Sequence, residues 1–294
     1  MITVVIPTYN RAHLLHKTIP TYLQEGVSKI IVVDDASTDN TEEVVKKLMG
    51  ELPTIQYYRQ KINSKQTVAK NTGIDHTDTE WIYFGDDDSI LMPGSIKALL
   101  DTCIKHKADI CGAKALYMQT EEDEKSSESF VKKMDIPLPA SNKIADLDTL
   151  EGNFIYSFEN AVELPYVHAS ALVKSEIAKK LKFDPEYTGN CYREETDFFL
   201  RANLAGAKIM YNSKAVQVNL PRKKATGGAH SSNKLKWYYY TFVNNHRFLK
   251  KNWKAVRKKY KNTSPAIIVE TKFIARMLKS GTENFFLNKV FKHK

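Results

Sequence analysis

Short apolar runs alternate with helical stretches along the first 118 residues. Ile2 to Ile6 is a β-branched run stopped by Pro7, and Leu14, Leu15, Ile19, Tyr22 and Leu23 follow at helical spacing. Lys29 to Val33 predicts a second strand, closed by DDASTDN, whose Asp and Ser residues suit a turn and a helix cap. Glu42 to Met49 then reads as helix, Ile55 to Tyr58 as strand, Gln66 to Ile74 as helix and Trp81 to Phe84 as strand; Gly94 to Lys107 and Ile110 to Leu116 continue the alternation. The strands are apolar throughout rather than at every second position. Both faces must therefore be covered, which predicts an α/β fold with a mostly parallel sheet flanked by helices.

Residues 119–150 break the rhythm with TEEDEKSSES and a Pro-containing stretch, and read as a solvated insertion or flexible loop. Order is expected again near Asn153. A helix from about Glu194 to Ala205 ends at Gly206 and precedes two strand-like runs, KIMYN and AVQVN. After Pro221 the composition turns basic and aromatic, with helices predicted over about Leu235 to Asn252 and Ala266 to Leu278. This shift divides the chain into a region 1–220 and a basic helical extension 221–294.

Composition narrows the class. With 42% hydrophobic and 27% charged residues in a 294-residue chain, the protein reads as globular. No apolar run approaches the roughly 18 residues of a membrane span. MITVVIPTYN has neither the basic start nor the long apolar core of a secretory signal, so a cytoplasmic location is expected. Cys103, Cys111 and Cys191 show no CxxC spacing and are expected to be reduced and buried. The net charge of +10 is unevenly held: residues 222–294 carry +17, and the first 221 carry −7.

The candidate chemistry lies at strand ends. In a parallel sheet, ligands bind beyond the carboxyl ends of the strands. Pro7, Thr8, Tyr9 and Asn10 follow the first strand, Asp34 and Asp35 the second, and Asp86, Asp87 and Asp88 the fourth. Taken singly, Asn10 and Asp39 are also plausible helix caps, and Asp34 and Asp35 turn formers. IPTYNRAH contains no glycine, so neither the GxGxxG loop nor a P-loop is present to cradle phosphate. Three adjacent aspartates disfavour each other's ionised form, and a positive group is expected among them. A divalent cation on Asp86 and Asp88, Mg²⁺ or Mn²⁺, shared with a diphosphate meets both requirements.

Five segments together resemble the family 2 glycosyltransferases with the GT-A fold: IPTYNR, VVDDASTDNT, NSKQTVAKNTGI, FGDDDS and REETDFFLRANLAGAKI. The resemblance covers roughly residues 1–220. It implies that Pro7, Thr8 and Tyr9 line a uracil or ribose pocket and that Asp35 bonds the base. Asn63 and Lys70 would reach the base or diphosphate. Asp86 and Asp88 would form the DxD element that contacts the ribose and holds the metal, with Asp87 on the nucleotide-sugar, and UDP is favoured only through this resemblance. Lys70 stands where family members often have Arg, and a glycine often seen after the equivalent of Asn63 is missing, so the phosphate side is expected to differ. The family also often places a metal- or diphosphate-binding His near a Gly-Gly; His230 is the candidate, with Asn219 near the expected place and Arg222, Lys223 and Lys224 in the same loop.

In the family, the second member of an acidic pair opening a helix is the catalytic base; here the pair is Glu194-Glu195. Spacing gives independent support. Glu195, Phe198, Phe199 and Ala202 stand at i, i+3, i+4 and i+7, placing Glu195 on the apolar face, where its pKa is expected to rise. Asp197 and Arg201 are four apart and expected to pair. His168 is placed either in an acceptor-side wall or as a satisfied core histidine. The implied reaction is a single displacement with inversion onto a hydroxyl of a glycan, lipid-linked or envelope acceptor.

Rival classes are a nucleic-acid-binding protein, which explains the basic tail but not the acidic rim, and a sugar-nucleotide pyrophosphorylase, which wants a glycine-rich basic loop after the first strand. No nucleic acid is expected. Aromatic and basic residues interleaved in KWYYYTFVNNHRFLKKNWKAVRKKYK suit either a peripheral membrane contact or helices packed on the catalytic domain.

Overall fold

A computed structural model describes residues 1–140, 142–226, 233–261 and 263–291 of the chain, residues 280–291 by their backbone. The strands are β1 (Ile2–Thr8), β2 (Val27–Asp34), β3 (Ile55–Arg59), β4 (Trp81–Phe84), β5 (Ser89–Leu91), β6 (Ile110–Tyr117), β7 (Ala145–Asp146), β8 (Glu151–Gly152), β9 (Val162–Glu163), β10 (Ala171–Lys174) and β11 (Ile209–Asn219). The helices are α1 (Ala12–Thr18), α2 (Thr41–Glu51), α3 (Lys65–Asp75), α4 (Ser95–His106), α5 (Glu121–Lys125), α6 (Ser127–Lys133), α7 (Ser175–Leu181), α8 (Glu194–Leu204), α9 (Lys234–Lys259) and α10 (Ala266–Phe291).

One sheet runs β3-β2-β1-β4-β10-β6-β11-β5, with β9 also on β11. β3, β2, β1 and β4 are mutually parallel, as are β6 and β11. β10 is inserted antiparallel between β4 and β6, and β5 and β9 pair antiparallel with β11. The predicted α/β sheet is thus present, mostly parallel and covered on both faces. Along β1, Val5 points into a core shared with α3, α8 and α9, while Val4 and Ile6 point into one shared with α2 and α4. Two covered faces are the reason its sequence shows no alternation. α3 approaches β1 closely at Gly73, where a Cβ would lie 2.2 Å from Val5 Cγ1.

Some expectations are corrected. KIMYN and AVQVN belong to one strand, β11, whose register slips between Asn212 and Val216. Residues 119–150 are not simply a solvated loop. Thr120 and Asp123 form a capping box that starts α5, the acidic first turn suits the positive end of the helix, and Phe130, Ile144 and Leu150 are buried. Glu124 of this segment pairs with Lys17 and with Lys224 (2.7 Å), tying it to α1 and to the loop after β11. All three cysteines are buried and free. Among the described residues no helix is long and apolar enough to cross a membrane.

The basic extension packs into the same core. Phe248, Leu249, Trp253 and Val256 of α9 and Val269 of α10 are buried against α8 and its neighbours, and the lysines lie on the outer faces.

Candidate active site

The rim is assembled by register. Thr8 pairs with Asp34 at the ends of β1 and β2, and β4 runs alongside to deliver residues 85–88 beside them. Asp34 is consumed by the fold: its carboxylate accepts from Ser37 N (2.8 Å), Tyr57 Oη (2.6 Å) and Arg59 Nη1 (2.9 Å). Asp35 accepts from the amides of Ser64 (2.7 Å) and Lys65 (2.8 Å), joining the second strand end to the start of α3. Burial still raises its pKa despite those two bonds. Asp39 accepts from Ala12 N (3.1 Å) and Thr41 N (3.1 Å) and so bridges the starts of α1 and α2. Asn10 adopts a left-handed backbone and accepts from Thr38 N (2.7 Å).

The aspartate run receives its positive group from the chain itself. Arg11 Nη1 lies 2.5 Å from Asp87 Oδ1 and 2.9 Å from Asp88 Oδ2, with Arg11 and Asp87 both buried. Sequence reasoning gave Arg11 no role, although it stands inside the quoted IPTYNR and three aspartates in a row call for a cation. Asp86 is held differently. Its backbone exchanges hydrogen bonds with Tyr22 Oη (2.8 and 3.0 Å), and its carboxylate accepts from Gln217 Nε2 (2.8 Å), which Tyr83 in turn orients. Burial, then repulsion from Asp88, pushes the Asp86 carboxyl up to about 7. Burial also raises Asp87.

The opposite wall is built from α3, α8 and the loop before α8. Lys70 Nζ donates to Glu194 Oε1 (2.8 Å) and Glu195 Oε1 (3.1 Å), and Gln66 Nε2 donates to Glu194 (2.5 Å). Burial, relieved only in part by Lys70, pushes Glu194 up to about 7. Glu195 corrects the expectation of a raised pKa. Burial acts in that direction, but Lys70 and His168 outweigh it and hold the carboxyl below the usual range. Periodicity along α8 could not see the lysine arriving from α3. Lys70, expected to reach the base or diphosphate, is 2% exposed and bonded to the two glutamates. Asp197 does pair with Arg201 (2.7 Å), and also accepts from Tyr187 Oη and Asn252 Nδ2.

The loop into α8 is left-handed at Gly189, Cys191 and Arg193. α9 holds it: Asn244 Nδ2 donates to Thr188 O (2.8 Å), Asn190 Nδ2 to Thr241 Oγ1 (2.7 Å), and Arg193 Nε to Asn245 Oδ1 (3.1 Å). Tyr240 lies over Gly189 so closely that a Cβ there would be 2.1 Å from its ring.

Both walls face one cleft of about 720 Å³. It brings together Pro7, Thr8, Tyr9, Asp35, Asn63, Asp86, Asp87, Asp88 and Glu195 of the expected residues. Asn219 and Arg222 also line it. His230 lies outside the described residues. His168 lines the cleft and bonds on both sides, to Tyr117 Oη (2.9 Å) and Ser170 Oγ (3.2 Å); burial lowers its pKa. The basic extension supplies Lys236, Trp237 and Tyr240, which composition alone could not direct to the cleft.

The sequence pattern described as Glycosyl transferase family 2 matches residues 3–164, more than half of the chain. The chain is a family 2 glycosyltransferase. Among curated relatives, this glycosyltransferase is 28% identical over 220 residues to a GalNAc(5)-diNAcBac-PP-undecaprenol beta-1,3-glucosyltransferase of Campylobacter jejuni, covering 74% of this chain and 63% of the relative. It spans less than two thirds of the length of the curated relatives it matches. Its fold superimposes on Staphylococcus aureus TarS 1-349 in complex with UDP-GlcNAc (TM-score 0.60, 15% identity, 95% of this chain and 72% of that one). It also superimposes on the Pyrobaculum calidifontis mannosyltransferase PcManGT in complex with GDP-Man and Mn²⁺ (TM-score 0.56, 15% identity, 94% and 68%). These likenesses identify the GT-A architecture.

The carboxylates suit a hard divalent cation in one respect and limit it in another. Asp88 opposes the ionisation of Asp86, which a cation held by the two would relieve. Among the described residues, however, no group of three or more His, Cys, Asp or Glu side chains is arranged to hold a metal. Such an ion would need substrate phosphate oxygens to complete its shell.

Proposed function

We propose that this glycosyltransferase moves a sugar from a UDP-sugar to a hydroxyl of a glycan, lipid-linked or cell-envelope acceptor by one displacement with inversion. The observation that carries this reading is the position of Glu195: its ionised carboxylate, 28% exposed, faces the cleft lined on its other side by Asp86, Asp87 and Asp88. TarS, one of the structural neighbours, holds UDP-GlcNAc, and the Campylobacter relative is named for a lipid-linked saccharide acceptor.

Pro7, Thr8, Tyr9, Asp35 and Asn63 bind the nucleoside end of the donor. Asp86 and Asp88 would hold Mn²⁺ or Mg²⁺ with the diphosphate oxygens, and the bound ion would supply charge neutralisation to the departing UDP. Arg11 keeps Asp87 and Asp88 together before donor arrives. The acceptor oxygen attacks the anomeric carbon, its proton passes to Glu195, and the bond from that carbon to the phosphate oxygen breaks with UDP carrying the electron pair. A carboxylate with a lowered pKa is a weaker base, but it is fully ionised at neutral pH and fixed in place, so position supplies its advantage.

Residues 1–220 form the catalytic unit, and 221–294 form an extension that adds the acceptor-facing wall. Its outward lysines suit an anionic membrane surface on the cytoplasmic side, where a lipid-linked acceptor would be presented.

Melting the protein with UDP-, GDP- and dTDP-sugars, with and without Mn²⁺, tests the reading. A correct donor at one hundred times its Kd stabilises the fold by about 2.7 kcal/mol. The expected result is a rise for a UDP-sugar that depends on the metal; no rise with any sugar nucleotide would overturn it.

A further inference from the structure

We infer that Lys70 is a positioning residue of the transfer step: its ammonium, bonded at once to Glu194 and Glu195, fixes the Glu195 carboxylate in the cleft and is not spent on the donor's diphosphate. The inference rests on Glu195 being the base.

Three observations support it. First, the ammonium is bonded to both glutamates. Nζ lies 2.8 Å from Glu194 Oε1 and 3.1 Å from Glu195 Oε1 and sits 4.9 Å over the Phe183 ring, with the side chain 2% exposed. An ammonium has three protons, and two are taken by the glutamates. Second, the two glutamates are not equivalent. Glu194 is buried and also held by Gln66, whereas Glu195 is the one that opens to the cleft. Glu194 is therefore the anchor that keeps Lys70 in place, and Lys70 the tether that keeps Glu195 in place. Third, the helix that carries Lys70 is seated closely on the sheet. Lys70 projects from α3, whose approach to β1 is fixed by the contact of Gly73 with Val5.

The charged and titratable groups facing Glu195 come from every side. They are Lys70 on α3, Glu194 on α8, His168 before β10, and Asp86 and Tyr117 across the cleft. Lys70 is the cation bonded to it within that set. Its removal leaves Glu195 facing Glu194 and Asp86, both of which favour the protonated form.

The test compares Lys70→Met, Lys70→Arg and Glu195→Gln. UDP binding in the presence of Mn²⁺ is read by calorimetry. Release of UDP from the stabilising donor, with water as acceptor, is followed against pH. For Lys70→Met the expected result is UDP affinity within about threefold of the parent, turnover down about 100-fold, and an acid limb moved up by about one pH unit. Lys70→Arg should keep the affinity and restore part of the turnover, since the charge is retained in a different shape. Loss of UDP affinity by tenfold or more in Lys70→Met, with the acid limb in place, overturns the inference and returns Lys70 to the diphosphate. If Glu195→Gln still turns over, the base assignment itself has failed; if it is inactive while Lys70→Met keeps the parent pH profile, only the positioning role has. Should Lys70→Met not fold, Lys70→Met combined with Glu194→Gln removes both buried charges, and a smaller shift of the acid limb in the same direction is expected from it, because Asp86 still faces Glu195.

Discussion

The two walls of the cleft are built in different ways. On the side proposed for the donor, Thr8, Asp35 and Asp86 to Asp88 stand within a few residues of the ends of β1, β2 and β4, and parallel pairing brings these strand ends side by side. On the side proposed for the base, the contacts span the chain. Lys70 and Glu194 are 124 residues apart, Gln66 and Glu194 are 128 apart, and Asn190 and Arg193 reach 51 and 52 residues forward to α9. The donor wall follows from topology, while the base wall depends on tertiary packing. Substitutions should therefore act differently on the two sides.

The largest effect is expected at the donor wall's internal cation. Arg11→Ala leaves two adjacent carboxylates, one of them deeply buried, without their partner. That is worth about 3–5 kcal/mol of stability for a broken buried pair. Denaturant unfolding with and without Mn²⁺ and UDP checks it, and the loss should shrink when both are added. A variant as stable as the parent would mean that topology alone holds this wall.

Next comes the base wall's loop. Gly189→Ala puts a Cβ into the Tyr240 ring at a left-handed position, φ 69°. The overpacking costs about 1–3 kcal/mol. Adding Tyr240→Ala should recover part of that in a double-mutant cycle, and strict additivity would show that α9 does not seat the loop.

A third measurement uses pH. Glu194 holds its proton more tightly folded than unfolded, its pKa rising from 4.5 to about 7. The folded state then binds more protons than the unfolded one between those values, so this group lowers stability as pH rises from about 4.5 to 7. Glu194→Gln should flatten that part of the melting-temperature profile; an unchanged slope would remove Glu194 as its source. The smallest effect is expected far from both walls: Asp101→Asn breaks an exposed pair with Lys97 and should leave melting unchanged.

The same contrast explains what the sequence disclosed. Ile2 to Ile6, Lys29 to Val33 and Trp81 to Phe84 announced a covered parallel sheet, and their following polar residues marked the rim. Asp197 with Arg201 was readable because four-residue spacing on a helix is itself a contact. Lys70 was not, because nothing local aims a side chain of α3 at the first turn of a helix 124 residues later. β10 was hidden for a related reason. ALVK is too short to declare itself, and its place between β4 and β6, running against both, is a decision of the whole sheet. The Thr120 and Asp123 capping box was visible in TEED, but the surrounding acidic composition pointed to a solvated loop instead.

One practical consequence follows from the polar face of α9. A fragment trimmed at residue 220 for convenience would retain every acidic residue of the donor wall. It would still lose Thr241, Asn244 and Asn245, which brace the turn feeding Glu194 and Glu195, together with the Phe248 and Trp253 rings that cover α8. Chimaeras made to exchange acceptor preference should accordingly cut the chain beyond Tyr260, carrying the long helix along with the glutamates it supports.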